Sequence, residues 1–382
     1  MRRILHVTYH GGAGGVSVLI LNLVKIFSTK EDISIDVCYA SQEGAVAEEL
    51  KGTGVSTYCL YMQSGFDLLR AFRLVSLIRR GGYDVVHLHY FTPALRLMAL
   101  LARPPLVVQT EHGGIKGEIG GKRWLAMRPI HRLLRSAADV YTAVSSDSKR
   151  DLVTYRFAPE ERTEVIYNGI FPSEFAKDEQ SRITVRSQLG IPPLQIVVGT
   201  VRSLTPKMGI DHLIRCIPKV RAKIPDVTFL IVGDGPLRHD LECLAKKISV
   251  DNSILFLGER RDVRTLLSAM DIFVMPSVWE TFGIAALEAM AAELPVVAYA
   301  VGGLKEVVEH GVTGLLLPDR NYHDLAKAIT VLAKDPDRRA EMGSLSKKRT
   351  EKLFDLKEIA NSYMSLYERE LKRKFGSERS RL

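Results

Sequence analysis

From position 4 to position 317, short β-branched runs alternate with helical patterns. That alternation constrains the fold more than any motif. A strand can be joined to a parallel neighbour only through a crossover, so the pattern calls for parallel βαβ units with helices on both faces of each sheet. In the first half, strands are predicted at 4–7, 33–39, 55–60, 84–88, 106–110, 140–144 and 163–167. The second half predicts them at 196–201, 227–232, 254–257, 272–275, 296–300 and 314–317. The rhythm breaks at 167–193, where Asn-Gly, several prolines and a polar run from Lys177 to Ser181 intervene. The expectation is an α/β fold of two doubly wound, Rossmann-like domains facing each other across a cleft. They span 1–170 and 194–353, joined by a linker at 171–193 and followed by a C-terminal helix and basic tail at 354–382. Sheets of this kind bind ligands at the carboxyl ends of their strands, which puts the expected site in that cleft.

Composition excludes several classes. With 46% hydrophobic and 25% charged residues in 382, the chain is neither disordered nor a disulfide scaffold. Its four cysteines (Cys38, Cys59, Cys216, Cys243) are scattered beside apolar stretches and form no CxxC, so buried thiols in a reducing, cytoplasmic setting are expected. No run of 18 apolar residues occurs, and the apolar N-terminal run is too short for a secretory signal.

The formal charge is +9, and one segment carries it. Between Arg70 and Arg135 twelve Lys/Arg face only Asp84, Glu111 and Glu118. Such a field attracts phosphates, although a solvated helix face explains the charge equally well. Helical patterns at 68–80 and 121–135 mix the basic residues with Leu, Phe, Ile and Trp124, as interfacial helices do. Peripheral contact with the inner face of an anionic membrane is therefore a second-level expectation. No basic platform interleaved with aromatics is present, so nucleic acid is not an expected partner.

Three segments carry chemistry. The first, His10-Gly-Gly-Ala-Gly-Gly-Val16, joins a strand to a helix and brings backbone amides to a helix N-terminus, where an anion is welcome. Its spacing is not GxGxxG, and no GxxxxGK[ST] occurs in the chain, so dinucleotide and P-loop readings fail. The second places Arg202 at a strand end and Lys207 in the loop beyond it, two cations able to clamp a diphosphate. The third, Pro276-Ser-Val-Trp-Glu-Thr-Phe-Gly-Ile-Ala-Ala-Leu-Glu-Ala-Met290, sets Glu280 in a loop and Glu288 among apolar helix residues. A carboxylate there needs hydrogen-bond donors, which ribose hydroxyls supply. The alternative is a solvent-facing glutamate on an amphipathic helix.

Together with Val-Gly-Asp-Gly-Pro at 232–236, Pro295-Val-Val-Ala-Tyr-Ala-Val-Gly-Gly303 and Gly-Val-Thr-Gly-Leu-Leu at 311–316, these segments resemble the GT-B retaining glycosyltransferases of family 4. The resemblance runs in order from about position 4 to about position 353. It implies that Arg202 and Lys207 grip a donor diphosphate and that Glu288 binds ribose. It further implies that Gly233, Thr281, Phe282, Gly283 and Ile284 line the donor, and that Glu280 meets the transferred sugar. Gly14 and Gly15 match a loop closing over the substrates, and His112 matches a histidine facing the reacting sugar. Two departures stand out. Lys207-Met208-Gly209 replaces a direct Lys-Gly, and Glu280-Thr-Phe replaces Glu-Gly-Phe.

A lone histidine ending an apolar strand is usually structural, and the motif around His112 favours the site role. His10, His87 and His89 could also line the cleft. The HxH of His87 and His89 lacks an identifiable carboxylate or cysteine partner, and Asp335-Pro-Asp337 reads as a helix cap, so no metal or other cofactor is expected. The implied reaction is retaining transfer of a hexosyl unit from a nucleotide diphosphate sugar, UDP first and GDP second. The acceptor would be a sugar or a lipid-linked hydroxyl. A sugar-nucleotide epimerase of the same fold and a non-catalytic nucleotide-sugar-binding protein remain the alternatives.

Overall fold

Among the residues described by the computed structural model (2–12, 15–50, 53–90, 92–113 and 129–376), each of the thirteen predicted runs is a strand. Seven form one sheet: β1 (Arg2–His10), β2 (Ile33–Gln42), β3 (Ser56–Cys59), β4 (Val85–Leu88), β5 (Leu106–Glu111), β6 (Val140–Ala143) and β7 (Thr163–Val165). Six form another: β8 (Ile196–Val201), β9 (Val227–Val232), β10 (Ile254–Gly258), β11 (Ile272–Met275), β12 (Val296–Tyr299) and β13 (Gly314–Leu317). The orders are β3-β2-β1-β4-β5-β6-β7 and β10-β9-β8-β11-β12-β13, and the strand pairings within them are parallel. Both sheets reverse their order once, between β1 and β4 and between β8 and β11. Those two gaps are the switch points at which doubly wound sheets take ligands.

Burial explains the pattern. The Ile210–Arg221 helix buries Ile210, Leu213, Ile214, Ile217 and Val220, spaced to form one stripe. The stripe packs in a core with Val198, Phe229 and Ile231 from the sheet. Each such aliphatic side chain contributes about 1.5–3 kcal/mol when taken from water. Among the described residues no helix is long and apolar enough to cross a membrane.

The chain divides into two units, Met1–Gly169 with Leu356–Leu382, and Ile170–Asp355. The segment expected as a linker, 171–193, instead belongs to the second unit. Its Glu179–Gln188 helix is clamped there by two arginines invisible to a composition scan. Arg182 and Arg186 each donate to a different oxygen of Asp271, at 2.7 and 2.8 Å, and Arg186 Nε reaches the Ala269 carbonyl at 3.0 Å. The C-terminal segment returns to the first unit. From the Leu356–Phe375 helix the Tyr367 hydroxyl meets His87 Nδ1 at 2.6 Å, Glu368 pairs with Arg2 at 2.9 Å and Lys374 with Asp139 at 2.7 Å. Cys38 and Cys216 are buried as expected. Cys59 is half-buried and Cys243 exposed, because the Arg238–Lys247 helix turns Leu241 and Ala245 inward and leaves Cys243 outside that stripe.

Candidate active site

In the second unit the carboxyl ends of β8 and β11 lie side by side, since Ile272 pairs with Val198 and Phe273 with Gly199. The strand ends therefore bring together two motifs some 80 residues apart in sequence. Arg202, just past β8, is ion-paired with Glu280 from the loop after β11. Its Nε also meets the Met208 sulfur at 3.2 Å, so the residue inserted between Lys207 and Gly209 braces the guanidinium. The Lys207 carbonyl accepts from Val278 N at 3.0 Å, stitching the two loops together, while the Lys207 ammonium lies 5.4 Å from the Trp279 ring centre. Close approach makes two glycines obligatory. Gly209 has φ +63°, and a Cβ there would lie 2.0 Å from the Pro276 carbonyl oxygen. A Cβ on Gly302 would come within 1.6 Å of the Glu280 carbonyl oxygen, so the loop after β12 presses directly on the glutamate's backbone.

The remaining donor candidates of this unit lie in the segments that follow β9 and β11. Gly233 follows β9, and its N–H is committed to the Gly258 carbonyl at 2.7 Å, so what it offers is proximity to the Arg202 backbone. Thr281 and Phe282 are buried, Phe282 edge-on to Phe354, and Thr281 accepts the Gly303 N–H at 3.2 Å. Gly283 caps the Ile284–Ala291 helix, whose first residue is half-buried. Glu288 lies on that helix, half-buried. Burial pushes its carboxyl up to about 7, with the more distant charge of Arg264 pulling the other way. The Glu288 carbonyl accepts from Ala292 N at 3.1 Å, and among the described residues no hydrogen bond reaches its carboxylate. The expected cap is present as well, since the Asp335 carboxylate accepts from Arg338 N at 2.9 Å and Pro336 opens the helix.

The first unit carries its own candidates. Gly15 begins the Gly15–Phe27 helix and is exposed, whereas Gly14 lies outside the described residues. His10 accepts the Gly12 N–H through Nδ1 at 3.3 Å. His112 follows β5 and is 8% exposed, its Nε2 3.0 Å from Nδ1 of His89. His87 and His89 do not line an open surface, contrary to expectation. Both are fully buried, because they alternate inward on β4 and the turn beyond it and are covered by the C-terminal helix. Sequence reading passed over His6, whose Nδ1 lies 2.8 Å from His89 Nε2. The only available signal was the β1/β4 register that sets His6 beside His87, which no local pattern encodes. His6, His87 and His89 bring ring nitrogens within 4.8 Å of one another. His87, however, spends both nitrogens on Tyr367 and Thr110, and the His6–His89 separation is that of a hydrogen bond. The cluster fits a hydrogen-bonded network better than a ligand set. Burial holds His6 and His112 down at about 3, so their rings are neutral.

The chain is similar to known proteins over both units. A family model described as glycosyl transferases group 1 matches residues 181–349, and one described as glycosyltransferase family 4 matches residues 13–174. An uncharacterized glycosyltransferase of Methanocaldococcus jannaschii is 32% identical over 297 residues, covering 75% of each chain. A GDP-mannose-dependent phosphatidylinositol monomannoside mannosyltransferase of Mycolicibacterium smegmatis is 32% identical over 276 residues, covering 69% of this chain and 71% of its own. Among solved structures, Anabaena HepE in complex with UDP superposes with a TM-score of 0.82 at 23% identity, covering 96% of this chain and 99% of its own. With the motifs, the two doubly wound sheets and these relatives in agreement, the chain belongs to glycosyltransferase family 4, the group 1 transferases of GT-B fold that use nucleotide-sugar donors.

Proposed function

We propose that the protein transfers a hexosyl unit, with retention and without a divalent metal, from a nucleoside diphosphate sugar to an acceptor hydroxyl, UDP-sugar being preferred over GDP-sugar. The observation that carries this reading is the Arg202–Glu280 pair at the second sheet's switch point, with Lys207 and Glu288 on adjoining elements. An arriving diphosphate competes with Glu280 for Arg202. Once exchanged, Arg202 and Lys207 hold the charge that grows on the leaving phosphate, and the freed Glu280 accepts from sugar hydroxyls. Glu288 accepts from the ribose. The bond from the anomeric carbon to the phosphate oxygen breaks while one to the acceptor oxygen forms on the same face, and the acceptor's proton passes to the departing phosphate. UDP leads because HepE was solved with UDP and with UDP-glucose. GDP follows because the mycobacterial relative is named as GDP-mannose-dependent.

The experiment is a thermal-shift screen of UDP, GDP, ADP and their sugars with and without chelator, since a ligand that binds only the folded form raises its stability by mass action. A shift with UDP or UDP-sugars that survives chelator is expected. No shift with any diphosphate overturns the reading, and isomerised donor in the absence of acceptor turns it toward an epimerase.

The acceptor is proposed to be lipid-linked and presented at an anionic membrane, where the first unit docks peripherally. In support, Leu69 is 86% and Phe72 60% exposed, beside Arg70, Arg73, Arg79 and Arg80 on the Leu68–Ala71 and Arg73–Gly81 helices. A recess of about 520 Å³ next to them is lined by Arg3, Arg73 and Arg80, a group suited to a headgroup phosphate. The second predicted interfacial segment, 121–135, lies mostly outside the described residues.

A further inference from the structure

Three buried imidazoles form a continuous hydrogen-bonded chain in the first unit. His6 Nδ1 is 2.8 Å from His89 Nε2, and His89 Nδ1 is 3.0 Å from His112 Nε2. Both outer nitrogens, His6 Nε2 and His112 Nδ1, are buried with no partner among the described residues. The chain starts within β1 and ends just past β5, so it climbs from the interior of the sheet to its carboxyl edge. His87 holds the middle of it from the side. Its ring stacks on His89 at 4.0 Å, and it is fixed by Tyr367 and Thr110, the latter 2.5 Å from Thr142.

Neutral imidazoles carry one proton each, so a chain of three has only two self-consistent arrangements. Either every ring is protonated at Nδ1 or every ring is protonated at Nε2. The second arrangement leaves an orphaned N–H on His6, in a pocket where its ring stacks on Phe27 at 6.3 Å. The first arrangement leaves the orphaned N–H on His112 instead. A buried N–H without an acceptor is costly, and on His6, 0% exposed within β1, no ligand can relieve it, whereas on His112, 8% exposed just past β5, a ligand oxygen can accept it.

We propose that His6 and His89 are positioning residues that hold His112 as its Nδ1–H tautomer, so that His112 offers a hydrogen-bond donor, and not a base, at the carboxyl edge of the first sheet. The ligand atom it meets is an acceptor oxygen, which on the proposed function is a hydroxyl oxygen of the transferred sugar. The tautomer itself does not rest on that reading. A histidine acting as a base in sugar transfer would need a bare Nδ1 at the same place.

The experiment is long-range proton–nitrogen NMR on the full chain with nitrogen-15 histidine, the three rings being assigned by His6→Phe, His89→Phe and His112→Phe. All three are expected as Nδ1–H, and His89→Phe should release His112 toward Nε2–H. Finding His112 as Nε2–H in the unsubstituted protein overturns the proposal, a result that needs no variant to fold and no substrate to be known. An unchanged His112 tautomer in folded His89→Phe overturns it too. In a transfer assay, His89→Phe should lower kcat/KM for the donor sugar roughly tenfold, the scale of one lost hydrogen bond, with affinity for free UDP unchanged. If the tautomers are as stated but His112→Gln transfers sugar normally, the sugar-site reading fails while the chain stands.

Discussion

Glu288→Gln separates the stability of the second unit from its nucleotide affinity, and the two should move in opposite directions. In the folded chain burial raises the carboxyl from 4.5 to about 7. A carboxyl whose folded pKa lies above its unfolded value stabilises the fold below the unfolded pKa. That advantage is lost as pH rises through the interval between the two. At about 1.4 kcal/mol per unit, the glutamate costs the ligand-free fold on the order of 3 kcal/mol at pH 8 relative to pH 4. Glutamine carries no such charge, so the variant should be the more stable protein at pH 8, by up to that amount, and equal to the parent at pH 4.5. Nucleotide binding should respond in the other sense. Two ribose hydroxyls donating to a carboxylate contribute about 1.5–3 kcal/mol through charge-assisted hydrogen bonds, so UDP affinity should fall roughly ten- to a hundredfold. Because the diol selects the ionised form, UDP binding to the parent near pH 7 should also release a fraction of a proton. Chemical denaturation at the two pH values and calorimetric titration in buffers of differing ionisation enthalpy measure all three effects. A Glu288→Gln variant that binds UDP as tightly as the parent and gains no stability at pH 8 would refute both the burial of the carboxylate and its partner.

Other residues yield equally direct tests. Lys207→Ala should raise the transfer barrier by about 2.7–4 kcal/mol, as loss of one preorganised charge-stabilising donor does, with kcat as the readout; turnover near the parent's would remove Lys207 from the diphosphate clamp. Asp271→Ala strands the buried Arg186 and should lower the denaturant midpoint by an amount equivalent to roughly 3 kcal/mol, whereas an unchanged midpoint would mean that the 171–193 segment is not anchored as described. The Leu69→Ser, Phe72→Ser double variant should lose cosedimentation with anionic vesicles at low salt and keep nucleotide binding. Equal recovery of the parent protein with neutral and anionic vesicles counts against docking.

Strand positions were legible because a strand buried on both faces must be a β-branched run, and 196–201 or 272–275 can be little else. The linker was misread for an equally physical reason. Lys177 to Ser181 is polar enough to look solvated, yet what anchors the segment is Asp271, some 85 residues further on, gripped by Arg182 and Arg186. The second-unit site motifs stood out because their residues cluster locally, Arg202 with Lys207 and Glu280 with Glu288. That Arg202 would be paired with Glu280 followed only from the adjacency of β8 and β11. The histidine chain was least legible of all, since His6, His89 and His112 meet through the strand order, and the tyrosine bracing their neighbour comes from 280 residues downstream.

That last connection governs how the protein is made. The ribosome releases residues 1–169 long before it synthesises Tyr363 and Tyr367, whose rings are fully buried beside His87. The opening portion therefore waits for its closing helix until the whole 170–355 stretch has been translated in between.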